Sequence, residues 1–269
     1  MDPLRAAGEM VASFLDRGDK SEEALGIVQG YARDLRGVVA AAQSRRVYTL
    51  VFDELFPARL EVLVDAIACY AEFPLVVNPL LKFFAELATN RMSRISFPPT
   101  SPSGVLLFRV LSAASFKYAA AIEQVPPPPP DDIYKQRYKG VAVALTILAR
   151  GIEGGFCPFG VFALYEDDTL DRALSTAVNL LNTIPIEHLP EHPKLARAYY
   201  HLLAALFRSY TRELCDIGPE IFFKFADALR RGVQVEELYD ATHAASAIDS
   251  LATFFVRADH RKKTADMEA

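Results

Sequence analysis

The chain has 269 residues, 51% hydrophobic and 23% charged, with 29 basic against 34 acidic side chains and a formal charge of −5. That composition excludes fibrous, collagen-like and disordered classes, and a pI near 5.6 excludes nucleic-acid binding through a global basic face, which needs positive charge to displace phosphate counterions. Cys69, Cys157 and Cys215 are odd in number, far apart and outside any CxxC or Cys/His spacing, so neither a disulfide framework nor a zinc site is expected, and a reducing, aqueous compartment is.

Read in chain order, nearly every long segment has a helical period and almost none alternates with the period of two of a half-buried strand. The first residues, MDPLRAAGEMVASFLDRGDK, scatter charges where a secretory leader would be basic and then apolar, and predict a short helix over 3–15. Antiparallel pairs are predicted at 21–42 with 47–56, and at 58–71 with 79–91. Further pairs follow at 104–123 with 133–151, 168–184 with 194–214, and 219–231 with 235–257. Four apolar stripes support them. Leu107, Val110, Leu111, Ala114, Tyr118, Ala121 and Ile122 share one face, leaving Arg109, Ser112 and Lys117 to solvent. Tyr134, Tyr138, Val141, Leu145, Leu148 and Ile152 form the second, and Leu195, Tyr199, Leu202, Leu206, Tyr210 and Leu214 the third. The fourth runs Leu238, Ala241, Ala245, Ile248, Ala252 and Phe255.

Helix-end residues agree, because helix termini leave unpaired backbone groups that particular residues satisfy. Asn78-Pro79 and Gly218-Pro219 read as an N-cap followed by the first helical position, and Asp168 as the cap of a helix starting at Thr169. Gly232 is placed to end its helix in a left-handed conformation. The fold class that follows is all-α, a HEAT-like helical-repeat solenoid. The whole of 1–269 reads as one domain of about five antiparallel helix pairs, with a proline-rich connector at 124–132. The densest apolar run, Val141–Ala149, is well short of the roughly 20 residues that span a bilayer, so no membrane insertion is expected.

The motifs that could carry chemistry favour structural readings. His188-Leu189-Pro190-Glu191-His192 matches H-x-x-E-H, a zinc-binding pattern that requires both imidazoles on one helix face, but Pro190 and Pro193 oppose a helix there. Glu166–Asp171 is acidic yet lacks the glycine and terminal glutamate of a calcium loop, and helix capping explains it. Arg197, His201, Arg208 and Arg212 read as a solvated outer face. Cys157 precedes a proline with no histidine nearby, Ser101-Pro102 is a turn, and no glycine-rich nucleotide-binding motif occurs. Pro126–Pro130 predicts a stiff polyproline II segment, either a spacer or a ligand for an SH3, WW or profilin-like groove. No catalytic, cofactor-binding or metal-ligating residue is therefore assigned, no cofactor is implied, and an enzyme is not expected.

Longer blocks carry a resemblance. Tyr31–Gly37, Asn78–Lys82 leading into Ala85–Leu87 and Asn90-Arg91, Ser101–Arg109, Phe159–Tyr165 with Asp167-Asp168 and Leu170-Asp171, and Ile184-Pro185 followed by Pro193–Leu195 and Tyr199-Tyr200 are similar, in that order, to the exportin-7 family. These are nuclear transport receptors of the importin-β (karyopherin) superfamily. The resemblance covers roughly 31–255, and the chain looks like one piece from the C-terminal part of such a receptor. It implies nuclear export of protein cargo, shuttling between nucleus and cytoplasm through the pore, contact with nuclear pore proteins, and regulation by the Ran GTPase. The family's main Ran-GTP surface lies in its N-terminal repeats, which have no counterpart here. The five-proline run departs from the family pattern. A non-transport helical-repeat scaffold, recruiting partners through its surface or the polyproline loop, is the alternative.

Overall fold

A computed structural model describes residues 3–98 and 100–268, with side chains described over 4–98 and 100–259. The fold is an all-α helical repeat, and no strand occurs among the described residues. The chain divides into two compact units, Met1–Leu180 and Leu181–Ala269.

The first unit contains α1 (Pro3–Arg17), α2 (Glu22–Ala41), α3 (Arg45–Leu55), α4 (Ala58–Cys69), α5 (Pro74–Leu87), α6 (Ser103–Gln124), α7 (Lys139–Glu153) and α8 (Gly160–Leu164). Helix α9 (Thr169–Asn182) contains the boundary, and the second unit holds α10 (Pro193–Ser209), α11 (Thr211–Asp216), α12 (Pro219–Gly232) and α13 (Leu238–Glu268). Serine caps start two of these helices: Ser21 Oγ accepts from the Ala24 N–H and Ser44 Oγ from the Val47 N–H, each at 3.3 Å.

Packing within the first unit forms two layers. Helices α1, α4 and α6 follow one another in one layer, and α2, α5 and α7 in the other, with α1 on α2, α4 on α5 and α6 on α7 between them. The pairing of 21–42 with 47–56 is therefore corrected: α2 packs chiefly on α5 and also on α1, while α3 is a short inserted helix. Sequence adjacency suggested α3, but α2 buries Tyr31, Ala32, Leu35 and Val39 on the face that meets its layer neighbours.

Helix α5 begins at Pro74 rather than Pro79, so Asn78 is not a cap. Pro74 occupies the first turn, where its missing N–H costs nothing, and Pro79 lies inside the helix. An internal proline withdraws the donor for the carbonyl four residues earlier. That carbonyl, on Leu75, accepts from Gln29 Nε2 of α2, so the neighbouring helix supplies the missing bond. Asn78 is buried with Oδ1 unpartnered. Ser112 is also buried rather than solvent-facing. Before α7 the chain makes a 3-10 turn at Pro130–Asp132 and a π turn at Tyr134–Tyr138, so the regular helix starts later than 133. At 22 residues, α6 is by length and composition able to cross a membrane; here Leu107, Phe108, Leu111 and Tyr118 are buried, and the helix packs on α4 and α7.

In the second unit α10 is the central helix, with Leu195, Tyr199, Leu202, Leu206 and Leu214 of the third stripe buried. Its helix stops at Ser209, so Arg212 lies on α11. The fourth stripe is overturned: α13 buries Asp240, Ala244 and Ala247, while Leu238 is 79% and Phe255 52% exposed. Both faces of α13 are apolar in part, and the small alanines are the ones that let α10 approach. Gly232 is not left-handed either, since the glycines with positive φ are Gly18, Gly155 and Gly218. A Cβ on Gly232 would sit 2.5 Å from Tyr200 Cε1 and 2.8 Å from Ala244 Cβ, so close approach requires the glycine.

The connector after α5 holds a residue that periodicity does not flag. Arg94, 2% exposed, donates from Nη1 to the Val39 and Ala42 carbonyls at 2.8 and 3.1 Å, from Nη2 to the Glu86 carbonyl and carboxylate at 2.9 and 3.1 Å, and from Nε to the Thr89 carbonyl at 2.8 Å. Its guanidinium lies over the Tyr48 ring, whose hydroxyl donates to the Leu87 carbonyl at 2.6 Å. Met92 and Ser93, with φ of 50° and 57°, make the left-handed turn that points Arg94 inward.

Arg94→Met removes one of the two cations that pair with the buried Glu86, leaving only Arg91 at 2.9 Å, and strips a donor from four carbonyls, so it should lower stability by about 3–5 kcal/mol in urea titration. Arg94→Lys, with fewer donors and no planar fork, should fall between that variant and the wild type. Gly232→Ala should cost about 1–3 kcal/mol through overpacking against Tyr200 and Ala244, read as a lower melting temperature.

Candidate partner-binding site

The second unit encloses an open cleft of about 660 Å³ between the 186–193 segment, α10 and the α12–α13 connection. Its floor is built from Leu189, Ala196 and Tyr200, all buried, and from Asp240 in the first turn of α13. Gly232 makes this floor possible, because a side chain there would collide with Tyr200. Glu187, Glu236, Glu237 and Arg231 form the rim, with Pro190 and Val235 between them. The lining thus carries four carboxylates against one guanidinium.

Those charges are not equally engaged. Glu237 pairs with Arg197 at 2.8 Å, and Arg231 pairs with Asp227 at 2.8 Å and lies 3.6 Å from Glu187. Asp240 is only 3% exposed and its Oδ1 has no hydrogen-bond partner. Burial holds its carboxyl above the ordinary 3.8, against the opposing pull of Arg197. The unpartnered oxygen thus sits in an acidic cleft, whose charge favours a cation over an anion. The apolar surfaces of Leu189, Pro190 and Val235 suit the aliphatic stem of a lysine or arginine.

The residues weighed in the sequence lie elsewhere or serve structure. His188 ends a 3-10 turn at Ile186–His188 and His192 is the cap of α10, so the H-x-x-E-H pentapeptide is not one helix; the rings are 6.5 Å apart, centroid to centroid. The basic stripe divides. Arg197 covers the Tyr239 ring at 4.9 Å while its side chain stays exposed, and the half-buried His201 meets the His243 ring at 5.2 Å, so the first half of the stripe touches α13 from the solvated face. Arg208 and Arg212 line a separate cleft of about 440 Å³ with Glu213, Asp249 and Arg257.

In the acidic run the residue that accepts from the start of α9 is Asp167, not Asp168: Asp167 Oδ1 takes the Thr169 N–H at 3.0 Å and its hydroxyl at 2.6 Å. The Thr169 hydroxyl, with Arg109, holds the Asp167 carboxyl below its ordinary value. Asp168 instead faces Arg172 at 3.7 Å. The Cys157 thiol is pushed up to about 12 by burial, which removes it as a nucleophile at neutral pH. Ser101 Oγ accepts from the Ser103 N–H at 3.2 Å at the head of α6, as a turn residue should.

No model of a known protein family matches the chain. Individual proteins do. Over 258 residues, 96% of this chain, it is 32% identical to exportin-7-B of Xenopus laevis, and over 262 residues it is 33% identical to Ran-binding protein 16 of Drosophila melanogaster. Exportin-7 of Dictyostelium discoideum is 30% identical over 234 residues. The chain is thus similar, over nearly its whole length, to a segment of exportin-7-family proteins. It spans 24% of the length of the first two relatives and 23% of the third, and so corresponds to a segment of them. The identity runs through both compact units, across helices whose packing the structure shows.

Asp240 and Arg94 escaped sequence reasoning because neither belongs to a motif. The available signal for Asp240 was a lone acid one residue before an otherwise small and apolar helix face. For Arg94 there was none. Asp240 also yields a pH test. Its raised carboxyl means the fold prefers the protonated form, so stability falls as pH rises above 3.8 through the raised value and stays lower beyond it. Asp240→Asn should therefore raise the melting temperature at pH 7, with the gain gone by about pH 3, where the wild-type carboxyl is protonated.

Proposed function

We propose that the chain is a partner-binding segment of a nuclear export receptor that works with the Ran GTPase, shuttles between nucleus and cytoplasm, and contacts nuclear pore proteins in transit. The observation that carries this reading is identity of 32–33% across 96% of the chain to relatives named for export and for Ran binding. A helical repeat suits the task, since stacked helices present extended side-chain surface without requiring an enclosed pocket. Transport then proceeds by linked binding equilibria rather than bond chemistry: Ran-GTP and cargo raise each other's affinity, and hydrolysis releases both.

Within the segment, the Asp240 cleft is the contact we assign to protein cargo, through a lysine or arginine side chain. The Ran surface itself belongs to other repeats of the receptor on this reading. Pull-down from nuclear extract with the immobilised chain tests both points. Partners should be recovered equally with and without Ran locked in its GTP form, and lost on Glu187→Lys combined with Glu236→Lys. Recovery that requires Ran-GTP would place the switch surface in this segment. Recovery indifferent to the charge reversals would remove the cleft as the contact.

A further inference from the structure

We propose that Pro126–Pro130 is a preformed docking strand for a polyproline-reading domain with an aromatic groove and a basic rim. The segment leaves α6 at Val125, with φ −80° and ψ 126°, and reaches Pro129 with φ −55° and ψ 149°, both close to polyproline II. Such a strand has three residues per turn and therefore three edges. Val125 and Pro128, one turn apart, are half-buried and form the edge that rests on the protein. Pro126 with Pro129, and Pro127 with Pro130, form the other two edges, and all four are exposed. A groove that reads P-x-x-P engages prolines three positions apart, and two adjacent edges of this strand present that spacing outward.

Both ends are held. The Val125 N–H donates to the Ile122 carbonyl at 3.3 Å, and Arg137 Nη2 reaches the same carbonyl at 3.3 Å. Beyond the strand, the Asp132 N–H donates to the Pro129 carbonyl at 3.0 Å and closes the 3-10 turn. A strand fixed before binding loses little conformational entropy on docking. A plain spacer between α6 and α7 would need neither the two open edges nor the fixed ends.

Charge selects among readers. Glu123 and Asp131 are exposed on either side of the prolines, with Asp132 half-buried next to them; the first exposed cation is Lys135, beyond the turn. Two acidic flanks favour a groove rimmed by lysine or arginine and repel one rimmed by carboxylates.

Titration calorimetry of the full chain against purified SH3, WW and EVH1 domains, grouped by rim charge, tests the assignment. Basic-rimmed members should bind, with affinity reduced at least tenfold by Pro126→Ala combined with Pro129→Ala and several-fold by Glu123→Lys combined with Asp131→Lys. Circular dichroism should show unchanged helix content in both variants. A synthetic peptide of residues 122–133 should compete for the same domains, which keeps the test independent of how the variants fold. Absence of binding to every domain, binding confined to acidic-rimmed readers, or affinity untouched by the proline replacements would each overturn the proposal. The result is separate from the transport reading, which does not involve this strand.

Discussion

A guanidinium has five N–H donors in a rigid plane, and Arg94 places every one on an acceptor while 2% exposed. Three of its acceptors are carbonyls at or next to the C-termini of α2 and α5, where regular intrahelical donors run out and the Ala42 and Thr89 N–H groups of the helix ends also reach the Val39 and Glu86 carbonyls. One side chain thus caps two helices from the loop that follows one of them. Burying a charge this deeply is tolerable only because Glu86 neutralises it and the carbonyl dipoles point at it. The left-handed pair Met92 and Ser93 is the backbone cost of the arrangement, and the fold keeps it because α2 meets α5 along that seam.

Helix packing in each unit is settled by similar local exchanges between neighbours. Pro79 removes a donor and Gln29 of α2 replaces it. Gly232 removes a side chain and Tyr200 fills the space. In the second unit the same economy of space leaves Asp240 buried beside an open cleft with an oxygen unpartnered. A carboxylate in that position destabilises the unbound chain and strengthens whatever cation reaches it, since both effects arise from the loss of water around the charge. Binding sites and stability pull in opposite directions at such residues.

Much of the fold was legible in the sequence because helical periodicity depends on short-range geometry. The stripes of α6, α7 and α10 lie where the spacing placed them, and Gly218-Pro219 begins α12 as read. The candidate site was not legible. Asp240 lies on a helix whose more hydrophobic face turned out to be the exposed one, because α10 selects the alanine face that allows close approach. Asn78-Pro79 carried a strong capping signal, yet Phe73-Pro74 starts the helix and a donor from another helix satisfies the carbonyl that Pro79 orphans. Cap residues and periodicity describe a helix in isolation, and both readings changed when a neighbour entered.

The sequence by itself determined the helical class, most helix limits, the resemblance to exportin-7-family proteins and the stiff proline run, since each rests on residues close together in the chain or on ordered similarity along it. Tertiary structure alone decided that α2 stacks on α5 rather than α3, that Arg94 turns inward, that Gly232 is required by Tyr200, and that Asp240 faces a cleft. Those outcomes depend on side chains distant in sequence competing for the same space and the same hydrogen-bond donors, and no local pattern encodes which of them wins.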